Sequence, residues 1–396
     1  MELLRQKSAR IVNSVNQRFK RYLFNRIDWK SRLIIIKGSR GVGKTTLILQ
    51  YLQENFGITP EALYVSLDDM YFTNNTLSEL ADNFVANGGK YLFIDEIHKY
   101  RNWSKELKNI YDFYPELKLI ATGSSSLEIY KGEADLSRRA TVYNLHEMSF
   151  REYLNLMYQM DLKEFSLTEI LNKHNEFESE INSKIKPIKY FNEYIQQGAY
   201  PFIVDDKAKF YEKLEVIINL VLENDIPATT RISFETITKI KKLLYFIATS
   251  SPFKPNISEL SKKINTSRDQ LLNYLSILNK AGLIKLLRYS GIATSILTKP
   301  EKIYLSNTVL MFALDNRTNK GTLRETFFFN QLSAEHKVSY PKQGDFLIDD
   351  KYLFEVGGKN KTQKQIAGIK NAFVAADDIE YGFNNKIPLW LFGFLY

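Results

Sequence analysis

Between an apolar run, Leu33-Ile34-Ile35-Ile36, and a helix-forming run, Thr46-Leu47-Ile48-Leu49-Gln50-Tyr51-Leu52, lies the octet Gly38-Ser39-Arg40-Gly41-Val42-Gly43-Lys44-Thr45. It satisfies the phosphate-loop pattern G-x-x-x-x-G-K-[ST] at every position. A buried strand, a glycine turn and a helix start in that order leave few folds open. The turn must be tight, and its N–H groups must converge on one point ahead of the helix's positive end. The order predicts an α/β core built on a parallel sheet. In that core Lys44 reaches the β and γ phosphates of ATP and the Thr45 hydroxyl holds Mg²⁺. Gly38, Ser39, Arg40, Gly41, Val42, Gly43 and Thr46 line the nucleotide.

Such a loop needs a carboxylate from a second strand. Tyr91-Leu92-Phe93-Ile94-Asp95-Glu96 supplies it, with four apolar residues and then two acids where the strand emerges. Asp95 is the expected Mg²⁺ residue and Glu96 the expected general base for the attacking water. A third run, Leu117 to Thr122, ends in Gly123-Ser124-Ser125-Ser126. Thr122 or Ser124 is the candidate γ-phosphate sensor; capping of the next helix is the other use of such hydroxyls. Leu136-Ser137-Arg138-Arg139 precedes another strand-like run, Ala140 to Leu145. Arg138 and Arg139 are candidate arginine fingers for a neighbouring subunit in a homo-oligomer, or a solvated pair.

The order of these motifs, followed by Leu145-His146-Glu147-Met148-Ser149-Phe150-Arg151-Glu152-Tyr153-Leu154, resembles a large group of prokaryotic AAA+ ATPases that carry a C-terminal nuclease-like domain. Tyr194-Ile195-Gln196-Gln197-Gly198-Ala199-Tyr200-Pro201, Glu223-Asn224-Asp225-Ile226-Pro227 and Phe354-Glu355-Val356-Gly357-Gly358-Lys359 extend the resemblance over nearly the whole chain. It implies an ATP-driven or ATP-switched protein. It also implies a P-loop NTPase (AAA+) parallel-sheet core with a helical lid, a winged helix-turn-helix and a restriction-endonuclease-like α/β domain.

With 396 residues, 44% hydrophobic and 25% charged, the chain has material for several domains with cores of their own. No apolar run reaches membrane-spanning length, so no membrane partner is expected. Met1 to Lys20 is charged throughout, unlike a secretory leader, and a cytoplasmic protein is expected. The absence of cysteine excludes disulfides and thiolate metal sites, and four scattered histidines make no zinc cluster. Ile387 to Tyr396 reads as a terminal core strand.

The net charge of +9 is uneven. Residues 1–50 carry twelve Lys/Arg against Glu2 and Asp28, and residues 236–295 carry ten against Glu259 and Asp269, while the stretch between is acidic. The second basic segment reads as a winged helix-turn-helix. One helix spans Asn256 to Ile264 and a second runs from Ser267 to Lys280, capped by Ser267 with Gln270. A wing is formed by Leu283 to Tyr289 with Ile292 to Leu297. Lys262, Lys263, Ser267, Arg268, Gln270, Asn273 and Lys280 face outward and suit contact with double-stranded DNA; a lid or docking arm is the alternative. In the first basic segment the apolar residues are expected to pack on the core and the charges to form a solvated face.

After residue 296, a helix bearing Glu325, a hairpin Asp345 and a strand Glu355 follow the order of the PD-(D/E)xK nucleases, which this segment resembles. Those enzymes bind Mg²⁺ through the Asp and Glu and use a lysine two residues past the Glu. Here that position is Gly357, and Lys359, which shares its parity, is the candidate replacement if the glycines bend the strand.

The expected domains are an ATPase core at 1–150, a helical lid with a charged insertion at 151–235, a winged helix at 236–295 and a nuclease-like domain at 296–396. Lys173 to Lys189 is expected to be a flexible loop. The expected function is Mg²⁺-dependent ATP hydrolysis coupled to DNA. The alternatives are a nucleotide-gated switch that recruits a protein partner, and an ATP-regulated nuclease.

Overall fold

The computed structural model describes residues 1–123, 136, 138–230, 232–250, 254–290, 298–315, 319–362 and 364–396. Contacts divide the chain into two compact units. One is Met1–His146 with Asn224–Arg231, and the other is Glu147–Glu223 with Ile232–Tyr396.

The first unit opens with α1 (Glu2–Ser14), which buries Leu4, Ser8 and Val12 along one helical stripe. Then come β1 (Leu33–Lys37), α2 (Lys44–Asn55), β2 (Ala62–Ser66), α3 (Leu77–Ala86), β3 (Tyr91–Asp95), α4 (Trp103–Phe113), β4 (Lys118–Gly123) and β5 (Thr141–Asn144). The five strands form one parallel sheet in the order β2-β3-β4-β1-β5. Leu33 to Ile36 are fully buried. Helices cover both faces of such a sheet, so its inner strands read as unbroken apolar runs, not as an alternation. The order places β1 beside β4 and β4 beside β3, so the chain segments leaving all three strands share one sheet edge.

The second unit contains α5 (Phe150–Tyr158), α6 (Leu167–Lys184), α7 (Pro187–Gln197) and α8 (Phe210–Leu220). After α9 (Ile226–Thr229), which belongs with the first unit, it continues with α10 (Phe234–Thr249), α11 (Ile257–Lys263) and α12 (Arg268–Lys280). Next are β6 (Ile284–Leu287), β7 (Lys302–Leu305), α13 (Thr308–Leu314) and α14 (Lys320–Leu332). Last come β8 (Val338–Ser339), β9 (Phe346–Ile348), β10 (Tyr352–Gly357), β11 (Ala372–Ala376) and β12 (Lys386–Pro388). These five form a mixed sheet in the order β12-β11-β10-β9-β8, parallel from β10 to β12 and antiparallel at β8 and β9. α14 lies over it, with Phe328 against Phe346, Phe354 and Phe392 at ring-centre distances of 5.3, 5.0 and 5.0 Å.

Two expectations change here, and a third lies partly outside the described residues. Lys173 to Lys189 is mostly helical, in α6 after a kink at Lys173 and in the start of α7 after the extended pair Ile185-Lys186, not a loop. Ser166 and Glu169 form a capping box, and Leu167, Ile170, His174, Glu178 and Ile181 make a buried stripe. The described partner of β6 is β7, with Ile284 opposite Leu305, whereas the expected wing strand 292–297 lies outside the described residues. The C-terminal run is strand only as far as Pro388 and then a 3₁₀ helix, Leu389–Phe394.

Candidate functional site

The loop between β1 and α2 has the backbone that its glycines permit. Gly41 and Gly43 have φ of 87° and 95°, which a residue with a Cβ seldom adopts. A Cβ at Gly38 would lie 2.2 Å from the carbonyl oxygen of Leu145, so the loop passes directly over the chain leaving β5. α2 starts at Lys44, and its N-terminal amides close the loop. The Lys44 side chain is buried, and its Nζ donates to the carbonyls of Gly38 and Ser39, both at 2.9 Å. Burial pushes its pKa down to about 8, partly offset by Glu96 and Asp95. Thr46 is exposed on the first turn.

Adjacent strands carry the groups that meet at Asp95. Thr45 donates to Asp95 Oδ2 at 2.8 Å from fifty residues away, and Tyr64 on β2 donates to the same oxygen at 2.9 Å. Thr122 on β4 donates to Oδ1. Asp95 is 4% exposed and all three contacts are uncharged hydroxyls. Burial, together with Asp95, pushes the Tyr64 phenol far up, so it remains a donor. A hydroxyl and a carboxylate, both hard oxygen donors, fit Mg²⁺.

Glu96 follows with a left-handed backbone, φ 56°, which turns its side chain out of the strand direction. Its N–H donates to Thr122 Oγ1 at 3.4 Å, and His98 Nε2 lies 3.3 Å from its Oε2. Burial lowers the His98 pKa to about 4, so the imidazole is neutral.

Two arginines belong to this neighbourhood, Arg40, expected to line the nucleotide, and Arg21, expected elsewhere. Arg40 clamps Asp225, with Nε to Oδ2 at 3.3 Å and NH2 to Oδ1 at 3.0 Å. Arg21, expected on a solvated face, is buried; it donates to the carbonyl of Val42 in the loop and to that of His146 at 2.7 Å. The only local signal for Arg21 was its place among aromatic residues; Asp225 had the Glu223-to-Pro227 segment of the resemblance. The two arginine-finger candidates are not brought to the site by any described contact. Arg139 forms a two-point ion pair with Asp112 at 2.8 and 2.9 Å, and Arg138 is exposed. Ser124 lies outside the described residues.

The C-terminal acids meet lysines. Lys302 on β7 places Nζ 2.8 Å from Glu325 Oε2 and 3.3 Å from Asp345 Oδ1. Glu325 also accepts from Tyr304, and Asp345 Oδ2 from the Val356 N–H at 3.0 Å. Glu355, 1% exposed, pairs with Lys361. Lys359 is exposed, and its carbonyl accepts from Lys386. The lysine at Glu355 is therefore Lys361, whose side chain fills the space beside Gly357. Among the described residues no three His, Cys, Asp or Glu side chains are grouped to hold a metal. Paired with Lys302 and Lys361, these acids do not fit a divalent ion as arranged.

On α11 and α12 the residues Lys262, Lys263, Ser267, Arg268, Gln270, Asn273 and Lys280 are all exposed. Ser267 caps α12 by accepting from the Gln270 N–H, but the Gln270 side chain bonds Thr266 Oγ1, so only half of the expected capping box forms. Lys263 is ion-paired with Glu259 at 2.8 Å.

With this geometry in view, likenesses to known proteins are found in both units. Residues 30–154 match an AAA domain. That span contains the loop, Asp95, Glu96 and Thr122. Residues 188–321 match a family described as a domain of unknown function (DUF8612). An uncharacterized protein of Methanocaldococcus jannaschii, MJ1637, is 28% identical over 393 residues, covering 90% of this chain and 82% of that one. Among solved structures, the Walker-type ATPase PABY2304 of Pyrococcus abyssi aligns with a TM-score of 0.41 at 13% identity, covering 72% of this chain and 91% of that one. AMPPCP-bound DnaA from Aquifex aeolicus aligns with a TM-score of 0.29 at 14% identity, covering 68% and 86%. The span that matches an AAA domain holds the five-stranded parallel sheet, and no described helix is long and apolar enough to cross a membrane.

Proposed function

We propose that the first unit binds ATP at the loop and hydrolyses it. The convergence of Thr45 and Asp95 at 2.8 Å carries the reading, because it joins the loop's hydroxyl to the carboxylate of a neighbouring strand. Lys44, already folded over the loop carbonyls, exchanges them for β and γ phosphate oxygens; the loop and α2 amides hold the rest of the triphosphate. Thr45 and Asp95 hold Mg²⁺, which when bound neutralises phosphate charge. Glu96, turned out by its left-handed backbone and flanked by neutral His98, takes the proton from the attacking water. Thr122, bonded to both Asp95 and the Glu96 amide, keeps the two acids in fixed relation.

The test is nucleotide binding and steady-state turnover of Lys44→Ala and Glu96→Gln. Lys44→Ala loses binding, whereas Glu96→Gln binds ATP and turns over at least about a hundredfold more slowly. Equal loss of binding in both variants refutes this division of roles.

Coupling to double-stranded DNA is the second part of the proposal. It is supported by the exposed basic and amide side chains of α11 and α12, beside a groove whose lining includes Lys239, paired with Glu235, and Lys242 and Lys263. Such a surface contacts phosphates, and its binding weakens steeply with salt. Turnover measured with and without duplex DNA, at low and higher salt, decides it: salt-sensitive stimulation supports the coupling. Unchanged turnover points to the nucleotide-gated switch.

A further inference from the structure

Arg40 occupies the third position of the phosphate loop, and its half-buried guanidinium is held by a carboxylate. Nε and NH2 grip both oxygens of Asp225, a carboxylate 4% exposed. Asp225 lies 185 residues further along the chain. It ends a π-helical turn, Val221–Asp225, and stands in the segment Asn224–Arg231, which groups with the first unit although both flanks belong to the second. A fork matched to a carboxylate at two points fixes orientation as well as charge, and an aspartate buried this deeply is costly without it. The clamp uses the Nε and NH2 edge; NH1 makes no hydrogen bond among the described residues. Glu96 and Asp68 lie within electrostatic range of the same guanidinium, and both Arg40 and Asp225 act on Lys44 and His98.

The geometry points to Arg40 as the arginine that neutralises the γ-phosphate in cis, and to Asp225 as the residue that positions it; this rests on the ATPase reading above. In the reaction the oxygen of a water molecule bonds to the γ-phosphorus. The bond from that phosphorus to the β–γ bridging oxygen breaks, the water's proton passes to Glu96, and ADP and phosphate leave. Negative charge gathers on the bridging and γ oxygens, where a fixed guanidinium is worth most. The loop that binds the phosphates thus also carries the charge that AAA-type sites can draw from a neighbour, and the segment around Asp225 holds it in place.

The experiment measures ATP turnover and ATP affinity of the full chain with Mg²⁺. Arg40→Ala lowers kcat by at least about a hundredfold while Kd for ATP changes by no more than about threefold. Arg40→Lys stays low, because an ammonium cannot make the two-point grip. Asp225→Asn lowers kcat by about tenfold, and Asp225→Glu restores most of it. If Arg40→Ala melts early, Arg40→Gln, which keeps one hydrogen bond to Asp225, gives the same reading. Mixing Arg40→Ala with Lys44→Ala protein separates cis from trans. An arginine acting in trans regains activity in the mixture, whereas one acting in cis stays at the level of Arg40→Ala. Recovery in the mixture, or Arg40→Ala turnover within about twofold of wild type, overturns the assignment. Wild-type turnover no higher than that of Lys44→Ala overturns the ATPase reading itself, and the role of Arg40 with it.

Discussion

Asp95 in the first unit and the trio Glu325, Asp345 and Glu355 in the second are all carboxylates set against a sheet, but their neighbours differ in kind. Asp95 is met by three uncharged hydroxyls, those of Thr45, Tyr64 and Thr122. Each acid of the trio is met by an ammonium, Lys302 for Glu325 and Asp345, and Lys361 for Glu355. A carboxylate held by neutral donors keeps its full charge available to an incoming cation. One that contacts a lysine has its counter-charge built in. Two clusters that look alike as residue types thus differ in counter-charge, and under the proposed function the first receives a divalent ion while the second holds the fold together.

The largest test of this contrast is a matched pair of substitutions. Asp95→Asn lowers ATP turnover by at least about a hundredfold, and Asp345→Asn leaves it within about twofold of wild type. Comparable losses in both variants break the distinction. Next in size is Lys302→Met. It leaves Glu325 and Asp345, 16% and 19% exposed, without their shared cation, and destabilises the protein by about 3 kcal/mol in urea unfolding. The same variant sharpens the comparison if it gains Mn²⁺ binding that wild type lacks; Mn²⁺ bound at these acids in wild type, read by calorimetry, overturns the built-in counter-charge. A smaller effect separates the two nearby lysines. Lys361→Ala strands the buried Glu355 and costs about 1–3 kcal/mol, less whatever the Gln365 amide recovers, since its nitrogen donates to both Glu355 oxygens. Lys359→Ala stays within about 0.5 kcal/mol. Equal destabilisation by the two returns Lys359 to the role that strand parity suggested.

That last pair also marks where sequence reasoning stops. Parity along β10 holds only while the chain remains a strand. Beyond Gly357 it turns, the Lys361 N–H bonds the Gly358 carbonyl at 2.9 Å, and Lys361 folds back over the glycine toward Glu355. The loop and its two flanking elements were legible because every requirement is local: apolar run, glycines at positive φ, helix start. The Asp95 strand was legible because a doubly covered strand is apolar throughout. Asp225 and Arg21 were not recognised as parts of the loop's surroundings, since nothing within a few residues of either tells which distant group it meets. Lys173 to Lys189 was misread because His174 and Glu178 occupy core positions of α6 and make a buried stripe look polar.

Those two residues supply the smallest effect and a third variety of counter-charge, one that titrates. His174 Nδ1 lies 2.7 Å from Glu178 Oε1, and its Nε2 lies 2.9 Å from the Asn384 carbonyl. Glu178 also accepts from the Gly382 N–H at 2.8 Å. Both ring nitrogens face acceptors, so the doubly protonated imidazolium satisfies both and the neutral ring only one. The hydrogen bond to Glu178, opposed by burial and helped by the Asn384 carbonyl, raises the His174 pKa above its ordinary value. The unfolded chain binds fewer protons than the folded one between those two values, so the stabilisation is complete below the unfolded pKa, about 6.5, and is lost as pH rises through the folded one. The melting temperature of wild type measured against that of His174→Gln falls across that window, while the same comparison for Lys302→Met stays flat there because an ammonium paired with two carboxylates keeps its proton. A flat His174→Gln difference from pH 6 to 9 shows that the pair is held by packing and not by its charge.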